Sequence, residues 1–165
     1  MKILNDDNDM VASILFDDIF VVVSGNEETI TKIKFEKEFK GNNYSQSSMV
    51  FKAAQQLEEY LDGKRQSFDL NLEFKCSDFF KKVYLELINI PFGETKSYSE
   101  VASLVGKEKA IRAIGNANNR NPFVIVVPCH RVIGKNGSLT GFAPGLKYKE
   151  ILLDLEKKNN LGGHN

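Results

Sequence analysis

The sequence predicts an α+β chain: a small N-terminal α/β subdomain with a short antiparallel sheet, followed by a helical C-terminal domain. Three observations predict it. β-Branched and aromatic residues crowd the first forty positions, apolar residues recur at helical spacing after residue 77, and an extended connector at residues 64–75 lies between. The subdomain boundary is placed in that connector, with residues 1–70 as subdomain and linker and residues 71–165 as the C-terminal domain.

Residues 13–24, SILFDDIFVVVS, form one apolar run of strong β-formers ahead of the turn signal Gly25-Asn26. Ile30, Ile33, Phe35 and Phe39 then alternate with Lys and Glu, which predicts an antiparallel pair with one wet face. Gly41-Asn42-Asn43 breaks that pattern. Met49, Val50, Ala53, Ala54, Leu57, Tyr60 and Leu61 predict a helix ended by Asp62-Gly63. Ser77 is placed to cap a helix that turns Phe80, Val83, Tyr84, Leu87 and Ile88 inward and stops at Pro91 and Gly93. Two short helices come next, residues 99–105 closed by Gly106 and residues 107–118, in the outline of a helix-turn-helix. Short helix pairs also occur in domains that never touch DNA. Residues 123–127 read as a buried, strand-like segment ended by Pro128, which cannot donate to a ladder. Residues 134–145 form a loop with four glycines, and Leu146, Ile151, Leu152 and Leu155 stripe a closing helix over residues 146–158.

With 42% hydrophobic and 27% charged residues in 165, the chain has apolar mass for a packed core. Apolar runs such as residues 123–127 fall far short of the ~20 residues that span a bilayer. The acidic, Asn-rich first ten residues resemble neither a signal nor a transit peptide, so a cytoplasmic protein is expected. Two cysteines, Cys76 and Cys129, make no disulfide framework and suit a reducing compartment. The formal net charge of zero hides an asymmetry: residues 96–149 carry 9 basic side chains against Glu100 and Glu108. Such a stretch is a footprint for phosphate, or equally a solvated surface.

The chemistry concentrates in residues 121–134, NPFVIVVPCHRVIG, where an apolar segment delivers Cys129 directly after a proline, with His130 and Arg131 next. Most free cysteines are small buried hydrophobes. A histidine and an arginine beside this one can hardly be buried unpaired, and both favour the thiolate, which is the nucleophilic form. Adjacent residues do not face each other in extended chain, so His130 reaches Cys129 through a turn or a water. Cys76, before Ser77 and with no imidazole neighbour, reads as structural.

Pro128-Cys129-His130-Arg131-Val132-Ile133-Gly134 resembles the active-site signature of the O6-alkylguanine–DNA alkyltransferases, the methylated-DNA–protein-cysteine methyltransferases. Phe92-Gly93-Glu94, Ser97-Tyr98, Ala110-Ile111-Arg112-Ala113-Ile114-Gly115, Asn121-Pro122 and Gly141-Phe142-Ala143-Pro144-Gly145-Leu146 fall at that family's spacing. The likeness runs over about residues 68–158, with Phe68-Asp69-Leu70 resembling the family's linker strand. It implies an N-terminal subdomain packed on a helical domain with a helix-turn-helix.

It also implies DNA repair by direct reversal. A methyl or alkyl group passes irreversibly from O6 of guanine, and from O4 of thymine, to Cys129, once per molecule, after the nucleotide is flipped out of the duplex. His130 takes the thiol proton through a water, Glu156 holds the imidazole, and Asn121 caps the turn that carries Cys129. Arg112 fills the vacated space in the stack, and Tyr98 pushes the phosphate and donates its hydroxyl to the guanine. The resemblance assigns Ala110, Ala113, Gly115, Arg120 and Arg131 to DNA contact, with Ala110, Ala113, Gly115 and Ala117 letting the second helix into the minor groove. Phe142, Ala143 and Gly145 form the lid over the base. The partner implied is double-stranded DNA carrying alkylated guanine, met by a monomer that is nucleoid-associated when on DNA, or nuclear in a eukaryote. No cofactor, metal or membrane is implied, and residues 1–70 hold neither the Cys nor the His that a structural zinc needs in some relatives.

Two departures stand out: Asn116 where the family often has glycine, and Ala143-Pro144 in place of a hydroxyl or basic residue and glycine. Other readings fit part of the pattern. A non-catalytic helix-turn-helix regulator leaves the Cys129-His130-Arg131 cluster without a purpose. A cysteine hydrolase using Cys129, His130 and Glu156 leaves the basic helix pair idle. A lesion-binding relative without an acceptor is at odds with Cys129 itself.

Overall fold

The computed structural model describes residues 9–162, which fall into two compact units divided between Phe74 and Lys75. The tail with His164, expected to be disordered, lies outside the described residues.

The first unit is a three-stranded antiparallel sheet, β1 Met10–Phe16, β2 Ile19–Gly25 and β3 Ile30–Glu36 in the order β1-β2-β3. The expected pair is therefore three strands. The run 13–24 turns back on itself at Asp17-Asp18, where Asp17 takes a φ of 54°, a left-handed conformation that Asp tolerates. Those two aspartates are the turn signal that the apolar run conceals. Asn26 closes the second hairpin by accepting the Glu28 and Thr29 amides on its Oδ1, each at 2.9 Å. A side chain at Gly25 would meet the Thr29 carbonyl, so only glycine fits there. Helix α1, Met49–Leu61, is capped by Ser48, whose Oγ accepts the Phe51 amide at 3.1 Å. It buries Val50, Ala53, Leu57 and Tyr60 and packs on β1 and β2, where Ile14, Val21 and Val23 are buried too. Residues 68–70 form no strand. The connector instead touches β3 once, through Ile30 and Leu72 in parallel, and Gln56 holds Asp69 by both of its amide atoms.

The second unit holds α2 Asp78–Ile88, β4 Lys96–Ser97, α3 Tyr98–Leu104, α4 Ile111–Asn119, a 3₁₀ turn Cys129–Arg131, β5 Val132–Ile133 and α5 Leu146–Gly162. Ser77 caps α2, and Ser97 caps α3 in a reciprocal capping box with Glu100. Val83, Tyr84, Leu87, Val101, Ile114, Ala117, Phe123 and Leu152 make the core. The buried Tyr84 hydroxyl donates to the Ala117 carbonyl at 2.9 Å and ties α2 to α4. Among the described residues no helix is long and apolar enough to cross a membrane.

Five expectations need correction. Ile88 is 41% exposed because α2 ends there, and Leu146 opens α5 at the surface. The second short helix starts at Ile111, since residues 107–110 make the turn itself, with the Ala110 amide bonded to the Lys107 carbonyl. Residues 123–127 are buried but not extended: successive turns place Ile125 at a φ of 72°, and the Val127 amide returns to the Phe123 carbonyl. Cys76 is exposed, so it is no part of the packing.

The short parallel pair β4·β5 follows directly on the cysteine turn. It sets Lys96 against Val132 and Ser97 against Ile133, which brings the start of α3 beside the exit of that turn.

Candidate active site

Cys129 opens the 3₁₀ turn, with Pro128 at φ −81° and ψ 65° ahead of it and the Arg131 amide bonded back to the Pro128 carbonyl at 2.9 Å. Asn121 secures the approach from both sides. Its Nδ2 donates to the Val127 carbonyl at 2.7 Å, and its Oδ1 accepts the Phe123 amide at 2.9 Å, all in the interior. From α4, Asn118 donates to the Cys129 carbonyl at 3.3 Å. The sulfur-bearing residue is thus held by backbone and amide bonds on both flanks, and it is 4% exposed.

His130 and Glu156 are fully buried and paired, His130 Nε2 lying 2.6 Å from Glu156 Oε2. Nδ1 is therefore the ring nitrogen turned away from the carboxylate. Arg131 completes the cluster. Its Nε donates to Glu156 Oε1 at 2.8 Å, its Nη2 to Oε2 at 3.0 Å and its Nη1 to the Ile90 carbonyl at 2.6 Å. The Gly93 amide adds a bond to Oε1 at 3.1 Å. Burial alone would raise the Glu156 carboxyl, but the bonds and charges of His130 and Arg131 hold it well below the usual carboxylate range. Burial pushes the His130 imidazole below its ordinary value, with Arg131 and Lys149 adding to the effect against Glu156, so it stands neutral and able to accept a proton. A base steered by a carboxylate, next to a cysteine, is the arrangement of an activated nucleophile.

This geometry corrects the assignment of Arg131 to DNA. It is 5% exposed, and its guanidinium is committed to Glu156 and Ile90. The fork geometry of arginine suits a bidentate grip on a carboxylate, and breaking such a buried pair costs about 3–5 kcal/mol.

Tyr98, the first residue of α3, donates its hydroxyl to the Thr140 carbonyl at 3.2 Å in the loop 134–145. In that loop the Gly145 amide bonds the Phe142 carbonyl at 3.0 Å, Phe142 is half-buried and Ala143 is exposed. On α4 and its flanks, Arg112 and Arg120 are exposed, and Ala110, Ala113 and Gly115 are partly exposed. Nothing lies within 4 Å of a Cβ built at Gly115, so no packing inside the protein demands glycine there. Ala117 is different. It is wholly buried under Tyr84 and cannot form part of an approaching face.

Residues 78–158 match the 6-O-methylguanine DNA methyltransferase DNA binding domain, and residues 21–74 match the ribonuclease-like domain of the same methyltransferase. The chain belongs to the 6-O-methylguanine DNA methyltransferase family. A methylated-DNA–protein-cysteine methyltransferase of Methanosarcina barkeri is 46% identical over 144 residues, which cover 84% of this chain and 91% of that one. The O6-methylguanine methyltransferase of Mycobacterium tuberculosis superposes with a TM-score of 0.81 at 34% identity, covering 92% of this chain and 94% of that one. The same mycobacterial protein in complex with DNA gives 0.80 at 36% identity, over 89% and 92%. These relatives do not favour a non-catalytic regulator.

For a member of this methyltransferase family, the structure adds residues that sequence reasoning misses. Gly93 turns at a φ of 81° beneath α5, where a Cβ would strike Asn160, and its amide feeds Glu156. Phe92 lies 5.8 Å from the Arg131 guanidinium, ring centroid to Cζ. Both sit in a motif matched only as a string, and no local signal marks them as partners of residues 39 and 63 positions away. Asn118 reads in the sequence as an ordinary helix residue and Lys149 as one more surface charge, yet both are buried and bonded around the cysteine turn.

Proposed function

We propose that this protein repairs alkylated DNA by transferring the alkyl group from O6 of guanine to Cys129 in one irreversible step, and from O4 of thymine in the same way. The observation that carries the reading is the buried His130–Glu156 pair, 2.6 Å apart, on the turn that presents Cys129, in a chain of this family. The sulfur attacks the alkyl carbon, the S–C bond forms as the C–O6 bond breaks, and the electron pair leaves on guanine. His130 accepts the thiol proton, relayed by a water, and Glu156 steadies the ring. Tyr98 exchanges its bond with Thr140 for one to the guanine and neutralises the leaving group. A thioether is a poor leaving group, so each molecule acts once.

At 4% exposure, Cys129 is reached by a purine only after covering side chains yield, which supports extrusion of the base together with movement of the lid Phe142, Ala143 and Gly145. Arg112 takes the vacated place in the stack. Ala110, Ala113 and the open Gly115 support approach of α4 through the minor groove, with Arg120 on phosphate. Residues 71–165 carry the chemistry and residues 1–70 support them. The protein works as a monomer in the cytoplasm, on nucleoid DNA.

Incubation with a duplex holding a labelled methyl on guanine O6 tests this. The label should accumulate on the protein to one equivalent and stop, and Cys129→Ala should abolish transfer while keeping DNA affinity. Multiple turnovers, or full activity in Cys129→Ala, would remove the assignment.

A further inference from the structure

Asn118, on the last turn of α4, is 6% exposed, and its amide is only half employed. Its Nδ2 donates to the Cys129 carbonyl at 3.3 Å, which fixes the amide and makes Oδ1 its other end. That oxygen is buried, and among the described residues no donor reaches it. The helix is not free to shift and relieve it, because the Tyr84 hydroxyl holds the preceding carbonyl, that of Ala117, at 2.9 Å. Buried acceptors are almost always paired, and one left unpaired costs stability, so it needs a reason. The surroundings supply one. The end of α4 lies where the cysteine turn meets the lid loop: Asn118 touches Cys129, and a Cβ built on Gly141 of that loop would lie 3.2 Å from the Tyr98 hydroxyl and 4.0 Å from Asn119 Oδ1. With Cys129 4% exposed, a base reaches the sulfur only as these elements part.

We propose that Asn118 is a specificity residue: its Oδ1 accepts a hydrogen bond from the 2-amino group of the extruded guanine, while its Nδ2 keeps the Cys129 carbonyl in place. The chemistry of the lesion selects that group. An alkyl on O6 leaves N1 without a hydrogen, so the donor remaining on the hydrogen-bonding edge of the base is the 2-amino group, and an acceptor is what it needs. An oxygen unpaired in the closed protein and paired with the right base gives selectivity at the moment of binding, since a purine without the amine leaves it buried and unsatisfied. One amide thus serves the transfer at both ends. Nδ2 holds the turn that carries the sulfur, and Oδ1 registers the base against it.

The proposal rests on the alkyl-transfer reading, and its test separates the two. Single-turnover transfer is measured from a duplex carrying O6-methylguanine and from the same duplex carrying O6-methylhypoxanthine, which differs only by the missing 2-amino group. The parent should act at least about tenfold faster on the guanine. Asn118→Leu, close in size but without polar side-chain atoms, should cut that preference by about fivefold or more, with most of the loss on the guanine duplex. Base pairing differs between the two duplexes but equally for both proteins, so it cancels in the comparison. A role confined to holding the cysteine turn would slow both substrates alike. A preference unchanged in Asn118→Leu, however slow that protein, would therefore overturn the proposal, and so would a parent with no preference. Asn118→Ala gives the same comparison if Asn118→Leu does not fold. Absence of transfer by the parent from either duplex would instead remove the alkyl-transfer reading, and this proposal with it.

Discussion

Replacing Glu156 by Gln removes one charge and leaves the shape. In the parent that carboxylate accepts from Arg131 at 2.8 and 3.0 Å, His130 at 2.6 Å and the Gly93 amide at 3.1 Å. An amide turns an NH2 group toward at least one of these donors and leaves Arg131, 5% exposed, without its counter-charge. Stranding one member of a buried ion pair costs about 3–5 kcal/mol. Against a total of about 5–15 kcal/mol the loss is large, and at about 2–4 °C per kcal/mol for a chain of this size it lowers Tm by about 6–20 °C. Guanidinium chloride unfolding gives the free energy directly, and single-turnover transfer at a temperature where both proteins are folded gives the kinetic effect, expected to be at least tenfold. A Glu156→Gln protein within about 1 kcal/mol of the parent would refute the reasoning, because the cluster would then not depend on its carboxylate.

Three further outcomes are expected. Because the Glu156 carboxyl is held low in the folded chain, its stabilisation is complete above the unfolded carboxylate value of about 4.3 and is lost as pH falls below it. Urea midpoints should therefore drop between pH 5 and pH 3 in the parent, and by less in Glu156→Gln. Gly115→Val should leave stability within about 0.5 kcal/mol, or raise it, since a Cβ there meets nothing and valine is the better helix former; duplex affinity, measured by fluorescence anisotropy, should fall several-fold. Arg112→Ala should slow transfer on duplex DNA at least about tenfold, yet leave transfer from single strands, where no base needs flipping, within about twofold.

How much is legible in the residues depends on how local each signal is. The turn that presents Cys129 is spelled out by contiguous residues, Pro128 through Arg131, and the helix caps at Ser48, Ser77 and Ser97 sit next to what they cap. Glu156 is 26 positions from its partner His130, and only the ordered set of motifs points to it. Arg131 and Lys149 are misread for one reason: counting charge along a chain cannot tell a buried cation from a surface one, and both are interior. The run 13–24 hides a hairpin because its two aspartates interrupt an otherwise uniform β-forming stretch. Residues 123–127 are apolar because they are buried, and burial alone does not dictate an extended backbone.

The central claim is that one sulfur, that of Cys129, receives the group removed from DNA. After reaction with an oligonucleotide carrying O6-methylguanine, peptide mass mapping should find a single methyl on the Cys129 peptide and none on that of exposed Cys76. A methyl on Cys76 with Cys129 unmodified, or demethylated DNA with neither cysteine altered, would contradict it.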